Sequence, residues 1–186
     1  MKKLKSNVGK QPIVCSDVTI LKNNGQFLIK GKYGLLQLIQ ASIFTYTIKK
    51  EDAQLSFFPK TTLPVSSLYS SIWGTYRTLF YKAVLGVQQG YKQQVELVGI
   101  GYKGTVENNN VVLKLGKSHE VIVKKPDNVK VRFLTTNLLL LRSINLQNVR
   151  QFAFQLYKLK KPDPYKGKGI RIPNVVLYRK EGKKQK

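Results

Sequence analysis

The chain has 186 residues, with 33 Lys or Arg against nine Asp or Glu, a formal net charge of +24. That excess is far beyond what solubility needs and points to a polyanionic partner, nucleic acid before an acidic protein surface. A single cysteine, Cys15, excludes an internal disulfide, and with His119 as the sole histidine there is no zinc constellation.

Met1 to Lys10 reads as a basic N-terminal extension, with lysines but no apolar run behind them to make a secretory signal. Apolar or alternating runs between turn residues then predict strands at Val18–Leu21, Gln26–Lys30, Gly34–Ile39 and Ile43–Ile48. Cys15 belongs among them as a small apolar strand residue. Leu68, Ile72, Tyr76, Leu79, Ala83 and Val87 recur at helical spacing, with Ser66 or Ser67 as cap and Gly90 as stop. On that helix Trp73, Tyr76 and Phe80 are expected in the core, while Arg77, Lys82 and the following Lys92 face solvent or RNA. A second run of strands is expected at Val95–Ile100, Thr105–Glu107, Val111–Leu115, Val121–Val123 and Val129–Phe133. Leu146, Val149, Phe152, Ala153 and Leu156 then predict a second helix, ended by Pro162. The longest purely apolar run, Leu138 to Leu141, is far too short to span a bilayer. No long basic amphipathic helix is visible, which weighs against the rival partner, an anionic membrane surface.

Asn23 to Lys32 matches Asn108 to Lys117 at an offset of 85 residues, each with an Asn cluster, an apolar run and a Gly-Lys turn. Asn and Gly accept positive φ, so both read as two-residue β-hairpins. Two unrelated hairpins would share these features; a repeat would make the chain two α/β domains, at 11–90 and 91–175. Each helix has one apolar face, and its obvious use is to cover an antiparallel sheet. The expected class is therefore α+β, two tandem repeated small domains each with an antiparallel sheet covered by a helix, followed by a basic tail over 176–186.

The C-terminal end is the most informative. Eleven Lys or Arg lie between Lys158 and Lys186 against Asp163 and Glu181 alone. Pro162 and Pro164 hold the segment extended. Gly167 and Gly169 sit between Lys166, Lys168 and Arg171, letting the backbone approach a phosphate while cations flank it. Tyr165 offers a flat face for stacking. Ile170, Ile172, Val175, Val176 and Leu177 suggest that a strand follows the loop.

The segment Lys161-Pro-Asp-Pro-Tyr-Lys-Gly-Lys-Gly-Ile-Arg171, with Arg179-Lys180-Glu181-Gly182-Lys183, resembles the C-terminal signature of the large-subunit ribosomal protein six family in its bacterial and organellar form. Ser6 to Ile13, Gly90-Tyr91, Val95 to Lys103 and Gly116 to His119 are similar to that family's opening and middle blocks, so nearly the whole chain is covered. The resemblance favours a duplicated unit. It implies a structural protein of the large ribosomal subunit that binds rRNA near the sarcin–ricin loop and the base of the factor-binding stalk, among neighbouring ribosomal proteins. It places the principal contact on Pro162 to Arg171. The expected RNA-binding set is Lys103, Lys117, His119, Lys158, Lys160, Lys161, Tyr165, Lys166, Gly167, Lys168, Gly169, Arg171, Arg179, Lys180, Lys183 and Lys184. His119 is equally open to a turn-stabilising hydrogen bond. Lys161, Lys117 and Glu120 depart from the family pattern, which calls for a proline, an aromatic residue and a proline there.

Enzyme readings, an RNA-modifying activity included, lack support. His119 sits among Lys117 and Ser118 with no carboxylate paired to it in sequence. Glu51 and Asp52, adjacent in sequence, would point in opposite directions on a strand. No Walker pattern occurs in the Gly-Lys runs. No catalysis, cofactor, metal, membrane or small-molecule substrate is therefore expected. Lysine far exceeds arginine, alanine is scarce, and Asn, Tyr and Phe are plentiful, a bias of AT-rich genomes. Only five residues precede Ser6, and a protein encoded and made inside an organelle is expected, mitochondrion ahead of plastid or an AT-rich bacterium.

Overall fold

The computed structural model describes residues 5–23, 25–39, 41, 43–49, 53–60, 67–173 and 175–182. The chain divides into two compact units, Met1–Gly90 and Tyr91–Lys186, and the architecture is α+β throughout.

The first unit contains β1 (Ile13–Val14), β2 (Thr19–Asn23), β3 (Gln26–Gly31), β4 (Gly34–Ile39), β5 (Phe44–Lys49), β6 (Gln54–Pro59) and α1 (Ser67–Gln89). They form two antiparallel three-stranded sheets, ordered β1-β6-β5 and β2-β3-β4. Helix α1 packs on β3, β4 and β6. Strand alternation turns Phe27 and Ile29 inward, where Phe80 of α1 meets Phe27 and Phe57 edge-to-face at 5.4 and 5.0 Å. Trp73 is buried and its Nε1–H donates to the Phe57 carbonyl at 3.0 Å. Gly90, at φ +70, ends the helix and donates to the Gly86 carbonyl.

The second unit contains β7 (Tyr91–Val98), β8 (Lys103–Glu107), β9 (Asn110–Lys114), β10 (Val121–Lys124), β11 (Lys130–Thr135), β12 (Leu138–Ser143), α2 (Leu146–Leu159) and β13 (Gly169–Arg171). Its sheets run β10-β9-β8 and β11-β12-β7-β13. The plan repeats the first unit element for element, and β13 is the addition. Helix α2 starts at Asn145, whose side chain accepts the Gln147 N–H at 2.9 Å. It buries Val149, Phe152, Ala153 and Leu156 against β7, β12 and β13.

Several sequence expectations change. The repeat offset is 84, not 85: Asn23 pairs with Gln26 around one hairpin and Glu107 with Asn110 around the other. The slip matters because one residue exchanges the two faces of a strand; at 84 the inward Phe27 and Ile29 correspond to the inward Val111 and Leu113. On α1, Leu68 and Leu79 are 63% and 39% exposed, whereas Trp73, Phe80, Ala83 and Val87 are buried as expected and Val84 joins them. Arg77, half-buried, also has intramolecular partners: its guanidinium donates to the carbonyls of Gln11 (3.2 Å) and Pro12 (3.0 Å) and lies over the Tyr81 ring. Leu138 to Leu141, read only as an apolar run, is the buried strand β12. Val175 and Val176 are exposed and outside any strand. Glu51 and Asp52 lie outside the described residues.

Candidate nucleic-acid interface

The loop between α2 and β13 is pinned at both ends. Upstream stands the buried face of α2. Downstream, Gly169, Ile170 and Arg171 pair with Val98, Leu97 and Glu96 of β7, and Ile170 is fully buried. Lys160 leaves the helix in an extended conformation, and its carbonyl accepts the Ile170 N–H at 2.9 Å. The loop is thus closed at its neck by a backbone hydrogen bond.

Inside the neck, Asp163 organises the chain. Its N–H donates to the Lys168 carbonyl (2.9 Å), its carbonyl accepts from Gly167 (2.8 Å), and its carboxylate accepts the Lys166 N–H at 3.0 Å. These bonds satisfy backbone groups that would otherwise need water, and they hold the turn without using a lysine side chain. Gly167 takes φ +67 and Gly169 φ +148, in the region L side chains rarely adopt. A Cβ on Gly169 would stand 2.6 Å from Pro162 Cα and 2.8 Å from the Lys161 carbonyl oxygen. The glycines are buried within the loop itself, so their primary use is self-packing rather than the open approach to phosphate expected of them.

Arg171 is likewise turned inward. Its Nε and Nη2 donate to the Gly167 carbonyl at 3.2 and 2.7 Å, and the side chain is half-buried. Lys158, Lys160, Lys161, Lys166 and Lys168 are exposed, as is Tyr165. The Lys158 ammonium lies over the Phe154 ring at 5.2 Å from its centroid. The C-terminal segment folds back: the Lys180 N–H donates to the Pro164 carbonyl at 3.0 Å, and the Arg179 guanidinium comes close to Gly167. Arg179 and Lys180 therefore add exposed cations to the same loop. Lys183 and Lys184 lie outside the described residues.

Lys103, Lys117 and His119 belong to a different part of the unit. Lys103 opens β8 opposite Lys114, and Lys117 and His119 stand exposed in the turn between β9 and β10, after Gly116 at φ +68. Glu120 forms an ion pair with Lys114 at 2.8 Å, which raises the lysine pKa through the hydrogen bond and the charge. Asp163 was missed as a site residue, although an Asp three residues ahead of Lys166 in a Pro-rich turn is the spacing at which a carboxylate accepts a backbone N–H.

No helix among the described residues is long and apolar enough to cross a membrane. The duplicated α+β fold carries, in its second unit, a hydrogen-bonded loop that displays exposed lysines, the features of a polyanion-binding structural protein. Residues 98–172 match the family model described as ribosomal protein L6. The chain is 36% identical over 184 residues to the large ribosomal subunit protein uL6m of Reclinomonas americana, spanning 97% of this chain and all of that one. It is 34% identical over 181 residues to large ribosomal subunit protein uL6 of Gluconacetobacter diazotrophicus, spanning 97% and 99% of the two chains. Similarity to uL6 of Natranaerobius thermophilus is comparable, 34% over 180 residues, 96% of this chain and 98% of that one. The chain belongs to the ribosomal protein L6 family, whose members are structural constituents of the ribosome and not enzymes.

Proposed function

We propose that this protein is a structural constituent of a large ribosomal subunit, gripping large-subunit rRNA through the loop from Lys160 to Arg171 near the sarcin–ricin loop and the base of the factor-binding stalk. The observation that carries the reading is the loop itself: a backbone tied by Asp163 and two positive-φ glycines, from which Lys160, Lys161, Lys166 and Lys168 all project outward. A preformed array of cations loses little conformational entropy on meeting a phosphate backbone, whereas a free lysine tail must be ordered at the moment of binding. Lys103, Lys117 and His119 form a second, outlying contact, and neighbouring ribosomal proteins share the site. The lysine-rich composition and the similarity to a mitochondrial relative support a mitochondrial ribosome.

The salt dependence of rRNA binding tests this directly. Replacing Lys161, Lys166 and Lys168 by Ala lowers the slope of log affinity against log salt by about 0.7 to 0.9 per lost phosphate contact. An unchanged slope refutes the assignment, and co-sedimentation of the tagged chain with mitochondrial large subunits tests the location.

A further inference from the structure

Between the loop, β7 and the C-terminal segment lies a cavity of about 230 Å³, lined by Glu96, Tyr157, Pro162, Arg171, Ile172 and Val176 among others. Glu96 is the unusual member. It stands directly opposite Arg171 in the β7–β13 ladder, at a spacing where opposite charges ordinarily pair. Arg171 instead spends its guanidinium on the Gly167 carbonyl, and the Glu96 carboxylate forms no ion pair or hydrogen bond among the described residues, although its backbone is held in the ladders with β12 and β13. In a chain with 33 Lys or Arg, the Glu96 carboxylate is exposed and lines a cavity beside the cation-rich loop.

Resting on the ribosomal reading above, we infer that this cavity is a recognition pocket for one unpaired nucleobase, with the Glu96 carboxylate accepting from its N–H donors. A carboxylate facing a phosphate backbone is repelled; the part of a nucleotide that rewards it is a base edge bearing N–H groups. Guanine fits best, since its ring N1–H and adjacent exocyclic amine can meet the two carboxylate oxygens together. The remaining walls suit a flat apolar ring. Pro162 and Ile172 supply apolar surface, and the half-buried Tyr157 is already held by stacking on Phe154 at 5.7 Å with an 18° interplanar angle. The loop lysines would hold the flanking phosphates while Glu96 reads the base, so affinity and specificity come from separate residues.

The test uses the full chain with two RNAs, a large-subunit rRNA transcript and an unrelated transcript of equal length. Removing a negative charge from an RNA-binding face should tighten electrostatic binding. The inference requires the reverse for one RNA only: Glu96→Ala binds the large-subunit transcript at least tenfold more weakly and the unrelated one no more weakly. Glu96→Gln, which keeps an acceptor oxygen, retains more of that preference. Kethoxal, which reacts at N1 and N2 of unpaired guanine, should find one guanine protected by the wild-type protein and exposed by Glu96→Ala. Unchanged or tighter binding of the large-subunit transcript by Glu96→Ala, or an unchanged kethoxal pattern, overturns the pocket while leaving the ribosomal reading intact. A wild-type protein with no preference between the transcripts overturns both.

Discussion

The carboxylate of Asp163 accepts the backbone N–H of Lys166 at 3.0 Å, so the acidic side chain within the loop is engaged with its backbone while the lysines around it are exposed. Charge alone would make this aspartate a liability in an RNA-binding loop. As a clamp on loop geometry it is expected to contribute more than its charge subtracts. Asp163→Ala removes an anion yet should weaken rRNA binding about fivefold, corresponding to roughly 1 kcal/mol for the lost hydrogen bond. Asp163→Asn keeps an acceptor oxygen and should stay near wild type. Filter-binding affinities of the two variants decide the point, since a purely electrostatic role makes both bind more tightly.

The two loop glycines are not equivalent. On Gly169 an added Cβ meets backbone, Pro162 Cα at 2.6 Å and Pro162 N at 2.7 Å, at φ +148. Backbone cannot step aside, so Gly169→Ala is expected to cost about 1 to 3 kcal/mol and to distort the neck of the loop. On Gly167 the Cβ meets the end of the Arg171 side chain, which can rotate away. Gly167→Ala should cost about 1 kcal/mol, mainly for its left-handed backbone. Competition with wild type during subunit assembly should rank Gly169→Ala below Gly167→Ala; equal incorporation of both would mean that the loop is not ordered in the subunit.

How much of this was legible in the sequence depends on the range of the forces involved. The hairpin at Asn108, φ +50, and the helix stop at Gly90 are set by local backbone preference and were readable. The loop's cations were readable too, because charge is a property of the residue. Strand β12 was not: buried on both faces, its Leu138 to Leu141 run carries no alternation to distinguish it. The return of Lys180 to Pro164, the capture of Arg77 by Gln11 and Pro12, and the diversion of Arg171 from Glu96 to Gly167 are tertiary choices among several partners. No spacing rule encodes which partner wins. The offset error of one residue had the same origin, since identical side chains matched better at 85 while strand pairing fixed 84.

Helix α1 offers a contrast within one element. Phe80 is fully buried and ringed by Phe27 and Phe57, while its neighbour Leu79 is 39% exposed. Phe80→Ala should destabilise the first unit by about 3 to 5 kcal/mol through lost burial and the cavity left behind. Leu79→Ala, where water already reaches the side chain, should cost less than about 1 kcal/mol. Urea denaturation of the full chain, followed by a probe in the first unit, measures both. A cost of Leu79→Ala matching that of Phe80→Ala would show that the helix is rotated from the orientation described.

Cys15 provides a pH-dependent test of the first unit. Its thiol is buried next to β1, its Sγ–H directed at the Ile13 carbonyl at 3.5 Å, and burial pushes its pKa from 9.0 up to about 11 against a smaller opposing hydrogen bond from Leu55. Because the folded state holds the proton more tightly than the unfolded state does, this group's contribution to stability is complete below pH 9. It declines as pH rises, and is lost progressively between about 9 and 11. Reactivity follows the same thiolate population. At pH 8 the native chain should react with iodoacetamide far more slowly than the urea-unfolded chain, with native labelling rising steeply only as the pH approaches 11. Cys15→Ser should leave the fold intact but abolish both the labelling and this share of the alkaline stability loss. Rapid labelling of the native chain at pH 8 would place the thiol at the surface and contradict the packing of β1 against β6.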